Sequence, residues 1–183
     1  MLFDPTAYGE EAAAVLALDG SGARAMPLTF EFACSKRPDE LLPARPERIF
    51  EGSRSPRGAL SGLWLYFSCF DESHRISQDL HTPEGSFWHA IAHRREPDPG
   101  NSGYWFRRVG SHPVFPALLR AASEIVDARK TPLKLGSQWD PFVFIDYCET
   151  ARTRPGCDEE RIAMEIQLAE WQLLFDYCAR PAR

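Results

Sequence analysis

The spacing of apolar residues predicts helices over most of the chain. Residues 10–18 are alanine-rich, and apolar side chains recur every three or four positions in residues 60–70, 116–130 and 142–151. Strand-like alternation is confined to residues 28–32. The pattern therefore predicts an all-α fold, an irregular bundle of about six or seven helices.

Capping residues and prolines mark where several of these helices begin. Ser55, Thr82 and Asp140 each stand directly before a proline, and proline suits the first position of a helix. Asp158 is predicted to cap the last and longest helix, residues 158–179, because acidic residues follow it in the first turn.

The segment after residue 96 separates two of the predicted helices. Residues 98–100 are Asp-Pro-Gly, which is typical of a turn. Asn101 or Ser102 then caps a short helix, and Gly110 ends it. The two helix ends are therefore expected to lie close together.

Residues 26–56 are the least regular part of the chain. Prolines at positions 38, 43, 46 and 56 interrupt any repeating pattern. A long proline-rich loop with one or two helical turns is predicted here. Such a loop can act as a lid over a pocket or simply stiffen the surface.

The predicted helix of residues 158–179 carries apolar side chains on two sides. Its two stripes are Ile162, Ile166, Ala169, Leu173 and Tyr177, and Met164, Leu168, Trp171 and Phe175. Each apolar stripe has to be covered by another surface. The helix is therefore expected either at the centre of the bundle or in the interface of a homo-oligomer.

Length and composition are those of an ordinary globular protein. The 183 residues are 44% apolar and 26% charged, which predicts a single helical domain over residues 1–183. The net charge is −5 at pH 7, so nucleic acid is not expected as a general partner. A local basic patch remains possible at residues 93–108.

The cysteine pattern and the apolar runs bear on the compartment. The five cysteines are odd in number and contain no C-x-x-C pair, which favours reduced thiols over a disulfide framework or a thiolate zinc site. The first residues lack the pattern of a signal peptide, and no apolar run approaches the roughly 20 residues that span a bilayer. We therefore expect a bacterial-style cytoplasmic protein with no membrane association.

Residues 80–115 hold the densest functional chemistry. With 3.6 residues per turn, His89 and His93 lie on one face of a helix, and Glu96 joins them if the helix persists. Imidazole and carboxylate groups suit a divalent transition metal. A further ligand would come from elsewhere in the chain; the available residues are His112, His81, His74 and Glu72. The alternative is that His93 complements the negative helix end and His89 makes a buried polar contact.

The same stretch contains a second candidate site, rich in arginine and aromatic residues. Its cations are Arg94, Arg95, Arg107, Arg108 and His112, and its aromatic residues are Trp88, Tyr104 and Trp105. Arginines clustered at two helix ends can clamp a carboxylate or phosphate by paired hydrogen bonds. The alternative is a solvated face on which they pair with nearby acidic residues.

The stretch HAIAHRREPDPGNSGYWFRRVGSHPVF, residues 89–115, resembles an uncharacterised family of bacterial proteins. In that family a helix ending in His-Arg-Arg is followed by an Asn, a Tyr-Trp-Phe core and a Gly-x-His-Pro turn. The family has no assigned activity, so the resemblance implies no catalytic residue. It implies that the stretch is a module in its own right.

Two functions follow from these candidate sites. The sequence favours a non-catalytic module that binds a protein or an anionic small molecule through the arginine and aromatic surface. The alternative is a metal-binding protein or metal-dependent hydrolase that uses His89 and His93, with Glu96 or Glu72 as a further ligand or general base. The chain contains no G-x-S-x-G elbow and no P-loop, and whether it is an enzyme stays open.

Overall fold

The computed structural model describes residues 3–30, 38, 42, 45–131 and 133–181. Within them the chain forms eight α-helices and no β-strand, which confirms the all-α prediction with a slightly larger number of helices. The helices are α1 (Glu10–Ala17), α2 (Pro56–Tyr66), α3 (Phe70–Gln78), α4 (Pro83–Arg95), α5 (Pro99–Val109), α6 (Phe115–Arg129), α7 (Pro141–Arg152) and α8 (Asp158–Ala179).

The break between α2 and α3 differs from the sequence-based prediction. The apolar spacing of residues 60–70 predicted one helix through Phe70. Instead α2 ends at Tyr66, and Ser68 adopts a left-handed conformation with φ +61°. Phe70 therefore begins α3, and His74 lies on a helix.

The junction of α4 and α5 was predicted in part. Thr82 caps α4 as expected, because its Oγ1 accepts a hydrogen bond from the Gly85 N–H at 3.2 Å. Asn101 and Ser102 are not the cap of α5, however. Asp98 takes that position by accepting a hydrogen bond from the Asn101 N–H at 2.9 Å, so the expected turn is the first turn of the helix. Gly110 ends α5, with φ +62°.

The longest helix, α8, is central in the bundle. It packs against α2, α6 and α7, and every residue from 162 to 179 is buried or half-buried. Both apolar stripes are thus covered in part within one chain, and Ile162, Ile166, Trp171 and Phe175 are buried. The helix is capped by Cys157, whose Sγ accepts from the Glu160 N–H at 3.3 Å, and the prediction of Asp158 as the cap is one residue late.

Much of the proline-rich segment of residues 26–56 lies outside the described residues. These include residues 31–37, 39–41 and 43–44, and with them most of the expected lid and part of the strand-like stretch. Among the described residues of this segment, Pro46–Phe50 forms one short 3-10 helix, in agreement with the expected helical turn.

Two further expectations concern the thiols and the membrane. Cys148, Cys157 and Cys178 are free, whereas Cys69 is in a disulfide, so the expectation of reduced thiols is wrong for Cys69. Among the described helices, none combines the length and the apolar character needed to cross a bilayer.

Candidate functional site

Three histidines meet where α3 packs against α4. His74 comes from α3, and His89 and His93 come from successive turns of α4, on one face as the sequence predicted. One ring nitrogen from each lies within 4.8 Å of the others. The ring centroids are 4.3 Å apart for His74 and His89 and 4.7 Å apart for His89 and His93. We call these three residues the histidine cluster.

Serine side chains allow α3 to approach its neighbours closely. Ser61 on α2 hydrogen-bonds through Oγ to the Ser73 carbonyl at 3.0 Å. One turn later, the Ser77 Oγ lies 3.0 Å from His89 Nδ1 and 2.8 Å from the Ser73 carbonyl oxygen of its own helix. These small polar residues fix α3 between α2 and α4, and this position brings His74 to His89.

Burial disfavours the charged form of two of the three histidines, His89 and His74. His89 and His93 are 2% and 5% exposed, while His74 is half-buried. Burial, with the neighbouring His74 and His93 rings, lowers the pKa of His89 to about 3. Burial also lowers the pKa of His74. Neutral imidazoles have a free ring lone pair, which is the form that binds a metal.

The hydrogen bonds of the two buried histidines orient their rings. His93 Nδ1 donates to Glu96 Oε2 at 2.8 Å, and the Nδ1 of His89 faces the Ser77 hydroxyl. The two Nε2 atoms then face each other at 3.0 Å. Glu96, predicted as a metal ligand, therefore lies on the opposite nitrogen of His93 from His89. Together with His93 and Asp98 it forms a second, more exposed group of ligand-type atoms.

The position of the ring protons decides how the two facing Nε2 atoms interact. If the Ser77 hydroxyl donates to the backbone, His89 Nδ1 carries the proton, and both Nε2 atoms present lone pairs 3.0 Å apart. A cation between them relieves that repulsion. If Ser77 instead donates to His89, then His89 Nε2 carries the proton and donates to His93, and no ion is required.

Aromatic and amide side chains enclose the histidine cluster. The Trp105 ring centroid lies 4.2 Å from that of His89, and Phe70 lies 5.1 Å from His74. Asn101 places its amide 3.1 Å from His93 Nε2. The half-buried His74 is the member of the cluster with the most access to solvent. Phe70 and Asn101 were not predicted as site residues, and Trp105 was predicted for the arginine surface instead, because their positions here depend on how α3 and α5 pack against α4.

Arg94 does not join the predicted arginine cluster. It is 1% exposed, and both terminal nitrogens donate to the buried Glu170 on α8, one of them at 3.2 Å. Arg95 is also buried and donates to the carbonyls of Pro27 and Leu65 at 3.0 and 2.7 Å. These two arginines hold α4 to the rest of the bundle. Trp88, another predicted ligand residue, is fully buried against Gly62.

The remaining arginines of the predicted surface lie in two places. Arg108 packs over Trp105 and Tyr104, with its Cζ 5.1 and 5.9 Å from the two rings, and Tyr104 is half exposed. Arg107 lines a separate cavity together with His112. The arginine and aromatic residues predicted to form one surface therefore lie in separate parts of the fold.

His112 lies apart from the histidine cluster, against the first turn of α4. Its Nδ1 accepts from the Val114 N–H at 3.2 Å, so Nε2 carries the proton, and Nε2 is 3.9 Å from Glu84 Oε1. This polar contact with His112 lowers the pKa of the Glu84 carboxyl to about 2, helped by backbone and Thr82 hydrogen bonds. The pair ties the segment before α6 to α4.

No protein family model, curated protein or solved structure matches this chain. That result is consistent with the resemblance of residues 89–115 to a family without an assigned function. The chemistry of the side chains is thus the basis for any functional proposal.

Proposed function

We propose that this protein binds a divalent transition metal ion through His74, His89 and His93. The observation that supports this most directly is the pair of Nε2 atoms of His89 and His93, 3.0 Å apart, each on a ring whose Nδ1 is held by an oxygen atom. Ligand histidines in metal sites commonly have their second nitrogen bonded in this way. The sequence favoured the arginine surface instead, but the residues of that surface are divided in the fold.

Zinc is the ion that this set of donors suits best. Three imidazole nitrogens as ligands favour zinc, copper, nickel or iron over magnesium or calcium, which prefer oxygen ligands. Zinc–nitrogen bonds of about 2.0–2.1 Å in a tetrahedral site place two ligand nitrogens about 3.3 Å apart. The observed separation of 3.0 Å needs only a small adjustment. One ring nitrogen of His74 lies within 4.8 Å of those of His89 and His93.

Metal content tests this proposal directly. Protein purified without a polyhistidine tag is analysed by elemental mass spectrometry, before and after zinc is added and unbound metal is removed. Wild-type protein should hold about one zinc per chain. The His89→Ala/His93→Ala variant should lose it. The exposed His81 lies outside the cluster, so the variant His81→Ala is the matched control and should keep its zinc.

Thermal unfolding distinguishes loss of metal from loss of fold. At a zinc concentration 100 times the Kd, binding adds about 2.7 kcal/mol of stability, which corresponds to a rise in Tm of roughly 5–10 °C for a chain of this size. We expect this rise for wild type and not for His74→Ala, a folded variant because His74 is only half-buried. A folded wild-type protein that gains neither zinc nor thermal stability would contradict the proposal.

A further inference from the structure

The cavity that Arg107 lines lies at the C-terminal part of α5, away from the histidine cluster. Its volume is about 700 Å³, and it is formed by the last turns of α5, the first turns of α6 and the start of α7. Pockets for small organic ligands typically have volumes of about 300–1,000 Å³. None of the three clustered histidines lines it. The cavity is therefore separate from the histidine cluster.

The lining of this cavity is aromatic. Phe106, Phe115, Trp139 and Phe142 contribute to it, and the first of these is fully buried. Trp139 is 6% exposed. The lining thus suits a flat, apolar molecule.

The charge of the cavity is positive. Arg107 and Arg120 line it, and no described acidic residue does. Neither arginine forms an ion pair with any part of the chain that the structure describes, although acidic residues outnumber basic ones in the sequence. Arg107 lies over the Phe142 ring, 5.3 Å from its centroid, which keeps the guanidinium at the cavity. Two unpaired guanidinium groups favour an anionic partner.

We infer that this cavity binds a small organic anion, an aromatic body bearing one carboxylate or sulfonate. The aromatic body lies against the rings, and the anionic group pairs with Arg107 and Arg120. An inorganic anion would leave the apolar lining uncovered, and a neutral aromatic molecule would leave both arginines without a counterion.

Two fluorescent probes of similar shape and different charge test the inference. The anionic probe is 8-anilinonaphthalene-1-sulfonate, and the neutral one is N-phenyl-1-naphthylamine. Each is titrated into wild type, Arg107→Met, Arg120→Met and the control Arg108→Met. Arg108 is the next residue along α5 and does not line the cavity, and its substitution removes the same charge.

The expected pattern is specific. Loss of either cavity arginine should weaken binding of the anionic probe about tenfold and leave binding of the neutral probe within about twofold of wild type, while Arg108→Met changes neither. The anionic probe should also raise Tm, as a ligand of the native state does.

Three results would overturn the inference. The first is equal affinity of the anionic probe for Arg107→Met and Arg108→Met. The second is a probe that lowers Tm, which would mean that it binds unfolded chains. The third is unchanged probe affinity in Leu119→Trp, a folded variant in which the larger side chain fills the cavity that Leu119 lines.

Discussion

Arg94 and Arg95 are adjacent buried cations that the protein stabilises in different ways. Arg94 pairs with the fully buried Glu170, and its guanidinium also lies 4.6 Å from the centre of the Phe144 ring. Arg95 relies on two backbone carbonyls and the Ser68 hydroxyl. Burial without a carboxylate among its described hydrogen-bond partners lowers the pKa of Arg95 to about 9. Both residues thus act as connections between helices.

The Arg94–Glu170 pair should contribute far more to folding than a surface pair. Either single variant, Arg94→Met or Glu170→Leu, leaves one buried charge without its partner, so the free energy of unfolding should fall by about 3–5 kcal/mol. The double variant Arg94→Met/Glu170→Leu should lose less than the sum of the two. Urea denaturation measures all three.

The exposed pair Arg129–Glu165 provides the control. Arg129→Met should change the free energy of unfolding by less than about 1 kcal/mol, because solvent already screens that pair. If Arg94→Met costs no more than Arg129→Met, the buried pair does not stabilise the fold as argued.

The role of Arg94 could not be predicted because its partner is 76 residues away in the sequence. From the sequence, three basic residues in the last turn of a helix indicate a solvated end that complements the helix dipole. The positions of His89 and His93 were predictable, because helical spacing alone places them on one face. The sequence predicts which residues share a face of one helix, but it does not predict which residues a distant helix will bury.

At the scale of whole helices, the α2–α4 contact depends on a glycine. The fully buried Trp88 ring packs directly on Gly62 of α2, and a Cβ at Gly62 would lie 2.5 Å from the ring atom Cζ2. Trp171 of α8 donates its indole N–H to the Gly62 carbonyl at 2.8 Å. Three helices therefore meet at this one position.

Gly62→Ala should destabilise the protein although alanine is the better helix former. Helix propensity alone would add up to about 1 kcal/mol of stability. The clash with a buried indole should cost about 1–3 kcal/mol or more, since close-packed rings on three helices cannot move aside easily. Thermal or urea denaturation should thus show a net loss.

Gly100→Ala is the matched control for that substitution. Gly100 lies in the first turn of α5, where an added Cβ would approach no atom closer than 3.5 Å. The free energy of unfolding of Gly100→Ala should equal that of wild type or exceed it by up to about 1 kcal/mol. A stabilised Gly62→Ala variant would show that the contact between α2 and α4 is looser than described.

Prolines gave good predictions of where helices begin, but two other boundaries could not be inferred. Asp98-Pro99-Gly100 fits both a turn and a capped helix start, and only the packing of α5 on α4 decides between them. Ser68 is left-handed although it is not a glycine, so nothing in its residue type indicates the end of α2. This second boundary determines where His74 lies.

At the scale of the whole molecule, the histidine cluster depends on how separate elements pack. His74 was one of four further ligands that the sequence allowed, and the sequence could not choose among them. The short break after α2 turns α3 back along α4, and His74 then faces His89, whereas His112 lies beside Glu84. Sequence spacing identified two of the three residues of the cluster, and tertiary packing identified the third.

The state of the cysteines is also a property of the whole molecule, and a thiol count tests it. Five cysteines are present, and the Cys69 disulfide consumes two sulfur atoms, which leaves three thiols. Unfolded protein that has not been reduced should therefore react with three equivalents of Ellman's reagent, and reduced protein with five. In the native state Cys157 should react first. Cys148 and Cys178 are fully buried, and burial raises the pKa of both, that of Cys148 to about 12.

The same count bears on the compartment in which the protein is found. Disulfides persist in oxidising environments and are rare in the reducing cytosol. Three thiols in protein isolated with an alkylating agent present from lysis would argue against the cytoplasmic location that the cysteine pattern suggested. Five thiols would instead support that location, and would contradict a disulfide at Cys69 in the living cell.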